Sequence, residues 1–389
     1  MVSASTDDVS MARVLARFGP AYMQRHGRTM PVAHRAAMNA ILMCRTPALG
    51  ANVVACEDCK VTEFVYHSCR HRACPKCGSG LGEDWVEARR EEILPVPYFQ
   101  IVFTVPEKLR RIIRRHQCVL YPKLMTAVGE TLLEVGADPE HVGGQIGALT
   151  VLHTWTRTVE YHPHVHCLVP AGFLDDAGEW HEVSRPWFAP QEVLASVFRA
   201  KLVAAIRAAV PGLQLPGPIF HTRWVVHVDK PKHGTEVVLR YLARYVHRVA
   251  LSDHRIVAMS ATHVTFKYRD RDRKNWLTMT LRGTEFIRRF LQHVLPRRFH
   301  KVRYFGFWAC SNRPKLRALR QKLLAQAGQT PASSAPSGAA AQADPSPTWL
   351  KCPHCEQGTR SILGHFDAIQ LHDYFTRHGF RPPDVPRLL

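Results

Sequence analysis

Two histidines separated by one apolar residue, His164 and His166, sit in the run Glu160-Tyr161-His162-Pro163-His164-Val165-His166-Cys167-Leu168-Val169-Pro170. The run reads as a β-strand, on which successive side chains point to opposite faces. His164 and His166 therefore share one face, where two imidazoles can grip a divalent cation. A third donor is needed. The preceding strand, Ala148 to Trp155, carries His153, which lies opposite His166 if the two strands form a hairpin centred on Val159–Glu160. Directly opposed residues project to the same face, so His153 is the preferred third ligand. Glu160 and His162 are the alternatives, a carboxylate suiting Mg²⁺ or Mn²⁺. A register error of one residue would remove His153 from the set.

The second chemical signal is Val238-Leu239-Arg240-Tyr241-Leu242-Ala243-Arg244-Tyr245-Val246-His247-Arg248. It reads as a helix, on which Tyr241 and Tyr245, four apart, stack on one face. Arg240, Arg244 and Arg248 interleave with the tyrosines, which suits contacts to phosphate better than a buried aromatic stripe.

Cysteine spacing is the third. Cys56-Glu57-Asp58-Cys59 and Cys74-Pro75-Lys76-Cys77 are two CxxC knuckles, with a β-branched and aromatic ribbon, Val61 to Tyr66, between them. Two knuckles supply four thiolates, enough to close a tetrahedral structural Zn²⁺ site. Cys56, Cys59, Cys74 and Cys77 are the expected ligands, with Cys69, His67 and His71 in reserve. A lone knuckle, Cys352-Pro353-His354-Cys355, lies near the C-terminus, where His365 and His372 are available to complete a second site.

These residues need a scaffold, and 389 residues are ample for one. Helices are expected within Met11–Met43, at Asp84–Leu94, near Leu109–Arg115 and Leu120–Val135, over Pro190–Val210 and at Thr284–Val294. Strands are expected at Tyr98–Thr104, at His221–Val228, and at Arg255–Met259, His263–Tyr268 and Trp276–Thr280. Gly328 to Thr348 is a linker of Ala, Ser, Pro and Gly that cannot bury a core.

The net charge of +20 favours a polyanionic partner, and nucleic acid comes before a membrane surface because no amphipathic polybasic helix stands out. Lys267, Arg269, Arg271, Arg273 and Lys274 open a basic run that Arg288, Arg289, Arg297, Arg298, Lys301 and Arg303 continue and Arg313, Lys315, Arg317, Arg320 and Lys322 finish. It reads as a track for a DNA backbone, with interleaved aromatics, Trp276 among them, available to stack on unpaired bases. No signal peptide or apolar membrane span is evident, so a soluble cytoplasmic protein acting at the nucleoid is expected. In that setting cysteines serve metals rather than disulfides.

Taken together, these motifs resemble the two-tyrosine HUH transposases of bacterial rolling-circle insertion sequences, over nearly the whole chain to about residue 325. Cys44-Arg45-Thr46 with Leu49-Gly50 resembles the family's lead-in, and Ser68-Cys69-Arg70 to Cys74-Pro75-Lys76-Cys77 its zinc-binding domain, with departures at His71 and Ala73. His162 to Cys167 is similar to the HUH motif and Tyr241 to Arg248 to the tyrosine motif. The resemblance implies an α+β fold: an HUH endonuclease core with a central antiparallel sheet and flanking helices, preceded by a small zinc ribbon. It implies a helical and zinc-binding domain over 1–94, the endonuclease with its basic extension over 95–325, a linker over 326–348 and a C-terminal segment over 349–389. It also implies metal-dependent nicking of single-stranded or hairpin DNA by Tyr241 and Tyr245, with Arg244, Arg248, Lys267, Arg269, Arg288 and Arg289 holding the strand. A plasmid replication initiator or relaxase would share this chemistry, and a non-catalytic zinc-dependent DNA-binding protein would need neither tyrosines nor histidines.

Overall fold

The computed structural model describes residues 9–78, 89–183, 185–234, 238, 249–270, 274–326, 351–378 and 388–389. Helix α1 (Met11–His26) starts at Ser10, whose side chain accepts from the Arg13 amide, and buries Met11, Val14, Leu15, Phe18 and Tyr22 at helical spacing. Helix α2 (Val32–Met43) follows, then strands β1 (Ala51–Cys56) and β2 (Thr62–Tyr66), paired as an antiparallel hairpin. A single short helical turn, α3 (Pro75–Gly78), closes this region.

Strand β3 spans Tyr98–Thr104, the expected span. Helices α4 (Glu107–Arg115) and α5 (Gln117–Ala137) lead to β4 (Gly147–Trp155) and β5 (Tyr161–Pro170). A small hairpin, β6 (Gly172–Leu174) and β7 (Trp180–Glu182), precedes α6 (Gln191–Ala209) and β8 (Val225–Val228). Strands β9 (Ile256–Met259), β10 (His263–Arg269) and β11 (Trp276–Arg282) make a second antiparallel sheet, followed by α7 (Gly283–Leu291). Strand β12 (Val302–Gly306) and helix α8 (Arg313–Gln326) lie in the basic run, which sequence reading left without elements. Beyond the linker come β13 (Arg360–Phe366) and α9 (Ala368–Arg377), the latter opened by an Asp367–Gln370 capping box.

The central sheet has the order β12-β4-β5-β3-β8, every pair antiparallel. This is an α+β chain whose middle strands carry the histidines, as expected. The two faces are buried differently. Val165, Cys167 and Val169 of β5, with Ile101 and Phe103 of β3, pack into a core with Leu124, Val128, Phe198 and Leu202 of the covering helices α5 and α6. The opposite face carries His164, His166 and Leu168, and a second core gathers Leu149, Val151 and Leu168 with Val238, Trp308 and Leu316.

A third core joins α1 and α2 to Ile256, Val264, Phe266, Phe286 and Phe290. The cores thus cross the boundary expected near residue 94, because the apolar stripes of α1 and α2 are covered by residues from beyond 250. The ribbon expected over Val61–Tyr66 is part of a three-stranded sheet, β13-β1-β2, whose third strand comes from the C-terminal segment.

Candidate active site

The observed register of β4 and β5 sets His153 against His164 and Val151 against His166. The expected hairpin had His153 opposite His166, two residues away. A bulge between His153 and Trp155 takes up part of the difference. Because the side-chain period on a strand is two, a two-residue shift keeps His153 on the histidine face, whereas a one-residue shift would have turned it away. Ligand nitrogens of His153, His164 and His166 lie within 4.8 Å of one another. His153 is buried and the other two are partly so.

Tautomers are partly fixed by geometry. His164 Nδ1 lies 2.7 Å from the His162 carbonyl oxygen, which can only accept, so the proton is on Nδ1 and the Nε2 lone pair is free to coordinate. Burial is the main cause that holds the His164 imidazole below its usual pKa, and the Arg110 guanidinium adds to it. The ring is therefore neutral at pH 7, as a metal ligand must be.

The two alternatives are placed elsewhere. His162 stands beside His164, ring centroids 5.3 Å apart, but outside the cluster of three. Glu160 is turned to Arg289, 3.5 Å away.

Arg110 is a residue that sequence reading missed. Strand β3 ends at Thr104, paired with His164, and α4 begins three residues later, so its first turn brings Arg110 to the open end of the histidine row. Burial and the His164 ring, together with the Arg110 charge, push His162 down to about 4. Arg110 Nε is buried without a hydrogen-bond partner among the described residues. The signal was legible in principle: Glu107-Lys108-Leu109-Arg110-Arg111 directly follows the strand that pairs with the histidine strand.

Tyr241, Tyr245, Arg244 and Arg248 lie outside the described residues. Their flanks do not. Val238 is 1% exposed in the core of Leu149, Val151 and Leu168. Val249 and Ala250 line a cavity with Trp155, His293 and Lys301. Along β4 these contacts bracket His153, with Val151 on one side and Trp155 on the other. Tyr161, on the histidine strand itself, is a poor nucleophile: its hydroxyl is 2.9 Å from that of Tyr121, and burial pushes its phenol well above the usual pKa.

Of the expected DNA contacts, Lys267 and Arg269 lie on β10, facing Thr278 and Trp276 of β11. That sheet face is open, with Trp276 60% exposed and the Lys267 ammonium 5.7 Å from its ring. The inner face of the same strands buries Val264 and Phe266. Arg288 and Arg289 are differently engaged. Both bind Glu285, at 2.6 and 2.9 Å, and Arg289 also donates to the Thr158 carbonyl.

The cysteines correct the sequence reading. Cys56 and Cys59 do not meet Cys74 and Cys77. Cys44, Cys69, Cys74 and Cys77 form one cluster, and Cys56, Cys59, Cys352 and Cys355 form another. The reason is the length of β1. Five steps from Ala51 to Cys56 span about 17 Å at the rise of a strand, so the knuckle at the hairpin tip cannot share an ion with ligands at its base. Cys44 ends α2 and Cys69 follows β2, both at the base, where α3 delivers Cys74 and Cys77. The reserve histidines are otherwise used: His67 bonds the Leu49 carbonyl and Asn52, and His71 accepts from the Ala73 amide. His365 donates to Asn52.

Residues 147–315 match the family model described as "Putative transposase", and residues 14–105 match that described as "Transposase zinc-binding domain". The chain is 36% identical over 389 residues to "Putative transposase y4qJ" of Sinorhizobium fredii (strain NBRC 101917 / NGR234), covering 92% of this chain and 96% of that one. It is 26% identical over 298 residues to the transposase for insertion sequence element IS801 of Pseudomonas savastanoi pv. phaseolicola, covering 69% and 68%. Among solved structures, the metal-free conjugative relaxase TrwC in complex with oriT DNA is similar over 59% of this chain and 73% of that chain, at 13% identity and a TM-score of 0.24. With a relative this similar over nearly its full length and both family models matched, the chain belongs to the transposase family of IS91-type insertion sequences.

Proposed function

We propose that this transposase nicks single-stranded DNA and transfers the strand through a 5′-phosphotyrosine, with His153, His164 and His166 as metal ligands and Tyr241 and Tyr245 as nucleophiles. One observation carries the reading. The three imidazoles converge on one sheet face, and the described residues on either side of the tyrosine segment pack at the two ends of that histidine row.

The donor set fits a divalent cation, and three neutral imidazoles suit Mn²⁺ better than Mg²⁺, which prefers oxygen ligands. A cation held there would supply Lewis acidity to a non-bridging oxygen of the scissile phosphate. The remaining work falls to side chains. Arg110 offers its guanidinium to the same phosphate, where charge grows in the transition state. A tyrosine phenol attacks phosphorus: the Oη–P bond forms and the P–O3′ bond breaks. The phenolic proton is lost and the departing 3′-oxygen gains one, so the step is balanced without water or a nucleotide cofactor. Bond energy is kept in the phosphotyrosine, and a later 3′-OH reverses the step on a new strand. Two tyrosines, four residues apart in the sequence, allow two such cleavages in turn.

The test is a trapped adduct. With Mn²⁺ and a single-stranded end of the element, wild-type protein forms a covalent complex that survives denaturation, and peptide mass spectrometry places the nucleotide on Tyr241 or Tyr245. His164→Ala with His166→Ala abolishes the adduct but leaves DNA binding, since backbone contacts carry affinity. Tyr245→Phe strongly reduces the first cleavage, and Tyr241→Phe impairs complete strand transfer while sparing single cleavage. An adduct on any other residue, or cleavage by the double histidine variant, overturns the mechanism.

A further inference from the structure

The cluster of Cys56, Cys59, Cys352 and Cys355 joins residues almost three hundred positions apart. Its two halves have the same local geometry. In each knuckle the residue after the second cysteine takes a left-handed backbone: Lys60 at φ 59° and Glu356 at φ 57°. Non-glycine residues adopt that region at a cost, and it persists where surroundings hold it. In each, that residue's amide donates to the carbonyl of the first cysteine, Lys60 to Cys56 at 3.1 Å and Glu356 to Cys352 at 2.9 Å. Backbone amides also point at the second sulfur: Val61 at Cys59, and Gln357 and Gly358 at Cys355.

Sulfur spacing supplies the second argument. A Zn–S bond of about 2.3 Å places the sulfurs of a regular tetrahedron about 3.8 Å apart. Cys56 Sγ lies 3.7 Å from Cys355 Sγ, and Cys59 Sγ lies 3.6 Å from Cys352 Sγ. A disulfide requires about 2.0 Å. Gly358 is the third argument: a Cβ there would collide with Cys56 Sγ and Asp58 Oδ2, so the knuckles approach this closely only with glycine at that position.

We propose that Cys56, Cys59, Cys352 and Cys355 bind a second structural Zn²⁺, separate from the Cys44 cluster, which clasps the C-terminal segment to the tip of the β1–β2 hairpin. Neighbouring contacts point the same way. Strand β13 pairs along all of β1, Glu63 of β2 holds His354 and Arg360, and Leu371 and Phe375 pack against Ala51. The clasp leaves no open coordination position, so its role is to hold rather than to catalyse. It covers the edge of β1, which would otherwise present unpaired backbone groups to other chains.

Thiol alkylation of the zinc-loaded full chain, read by peptide mass spectrometry, tests this without a mutation. Cys118 and Cys310, exposed and outside both clusters, are the internal controls. Cys352 and Cys355 should resist iodoacetamide while the controls react, and should react after chelation under reducing conditions. Elemental analysis gives the count: Cys352→Ser with Cys355→Ser lowers bound zinc by one equivalent per chain relative to wild type, whatever the histidine site contributes. Should that variant fold poorly, cobalt-loaded wild type decides, since two tetrathiolate sites per chain give twice the thiolate-to-cobalt absorption of one. Labelling of Cys352 at the rate of Cys310, unchanged zinc in the serine variant, or a single tetrathiolate chromophore overturns the proposal.

Discussion

Arg110 gives the residue scale its sharpest question, because its charge bears on His164 of the proposed active site and on the neighbouring His162 while its Nε has no partner among the described residues. A buried guanidinium nitrogen without a partner costs stability in the free protein. A bound phosphate would supply that partner. Arg110→Gln removes the charge but keeps a polar side chain of moderate length. The expectation is a loss of single-strand cleavage on the order of 10²-fold, the scale seen when one preorganised donor to developing charge is removed. Thermal stability should hold or rise slightly, since the unsatisfied group is gone. Single-turnover cleavage and a melting curve on the same preparation check both; full cleavage activity in Arg110→Gln would remove Arg110 from the site.

Elements position the histidines, and His293 pins the hairpin that carries them. Its Nδ1 is 3.1 Å from Thr154 Oγ1 and its Nε2 is 3.2 Å from the Val159 carbonyl oxygen. That carbonyl only accepts, so Nε2 carries the proton and Nδ1 accepts from Thr154. Both ring nitrogens are thus satisfied with the ring neutral, and burial pushes His293 down to about 3. Burial likewise takes His34 of α2 down to about 4. Because the folded pKa values lie below the unfolded value near 6.5, the unfolded chain binds more protons in acid. Stability is fully present above pH 6.5 and falls as pH drops toward 3. His293 alone accounts for about 2 kcal/mol between pH 7.5 and pH 5. The slope of unfolding free energy against pH should flatten in His293→Asn whatever its absolute stability; an unchanged slope refutes the assignment.

The same elements show how far a sequence can be read. Strand β3 and the helices α5 and α6 follow from periodicity within a residue or three, and the histidine face follows from alternation alone. Strand β12 and helix α8 were hidden because Arg303, Arg313, Lys315, Arg317 and Arg320 mask their apolar positions, which become evident only against the central sheet. The cysteine partners were misread for a different reason. Spacing along the chain says which thiols can form a knuckle but not which knuckles meet, and here the length of β1 decides.

For the whole molecule, the remaining question is where the net charge of +20 meets a DNA strand. The β9–β11 sheet supplies an open face with Thr265, Lys267, Arg269, Trp276, Thr278 and Thr280 on paired positions. It is docked to the histidine hairpin by Arg157, whose guanidinium donates to the Arg269 and Asp270 carbonyls, each at 3.1 Å. An exposed tryptophan between cations suits unpaired bases, which stack on aromatic rings with little regard to sequence. Arg288 and Arg289 spend their donors on Glu285 and on the hairpin instead. The two pairs should therefore behave differently. Lys267→Ala with Arg269→Ala should weaken single-strand binding and reduce the slope of log K against log salt by about 1.4, at about 0.7 for each phosphate no longer neutralised. Trp276→Ala should weaken binding by about 1–3 kcal/mol with no change in that slope. Arg288→Ala with Arg289→Ala should lower thermal stability and leave the slope nearly intact. Fluorescence titrations at several salt concentrations, with a melting curve for the arginine pair, measure all three. If the Arg288 and Arg289 pair changes the slope and the Lys267 and Arg269 pair does not, the strand runs along α7 and not across the open sheet.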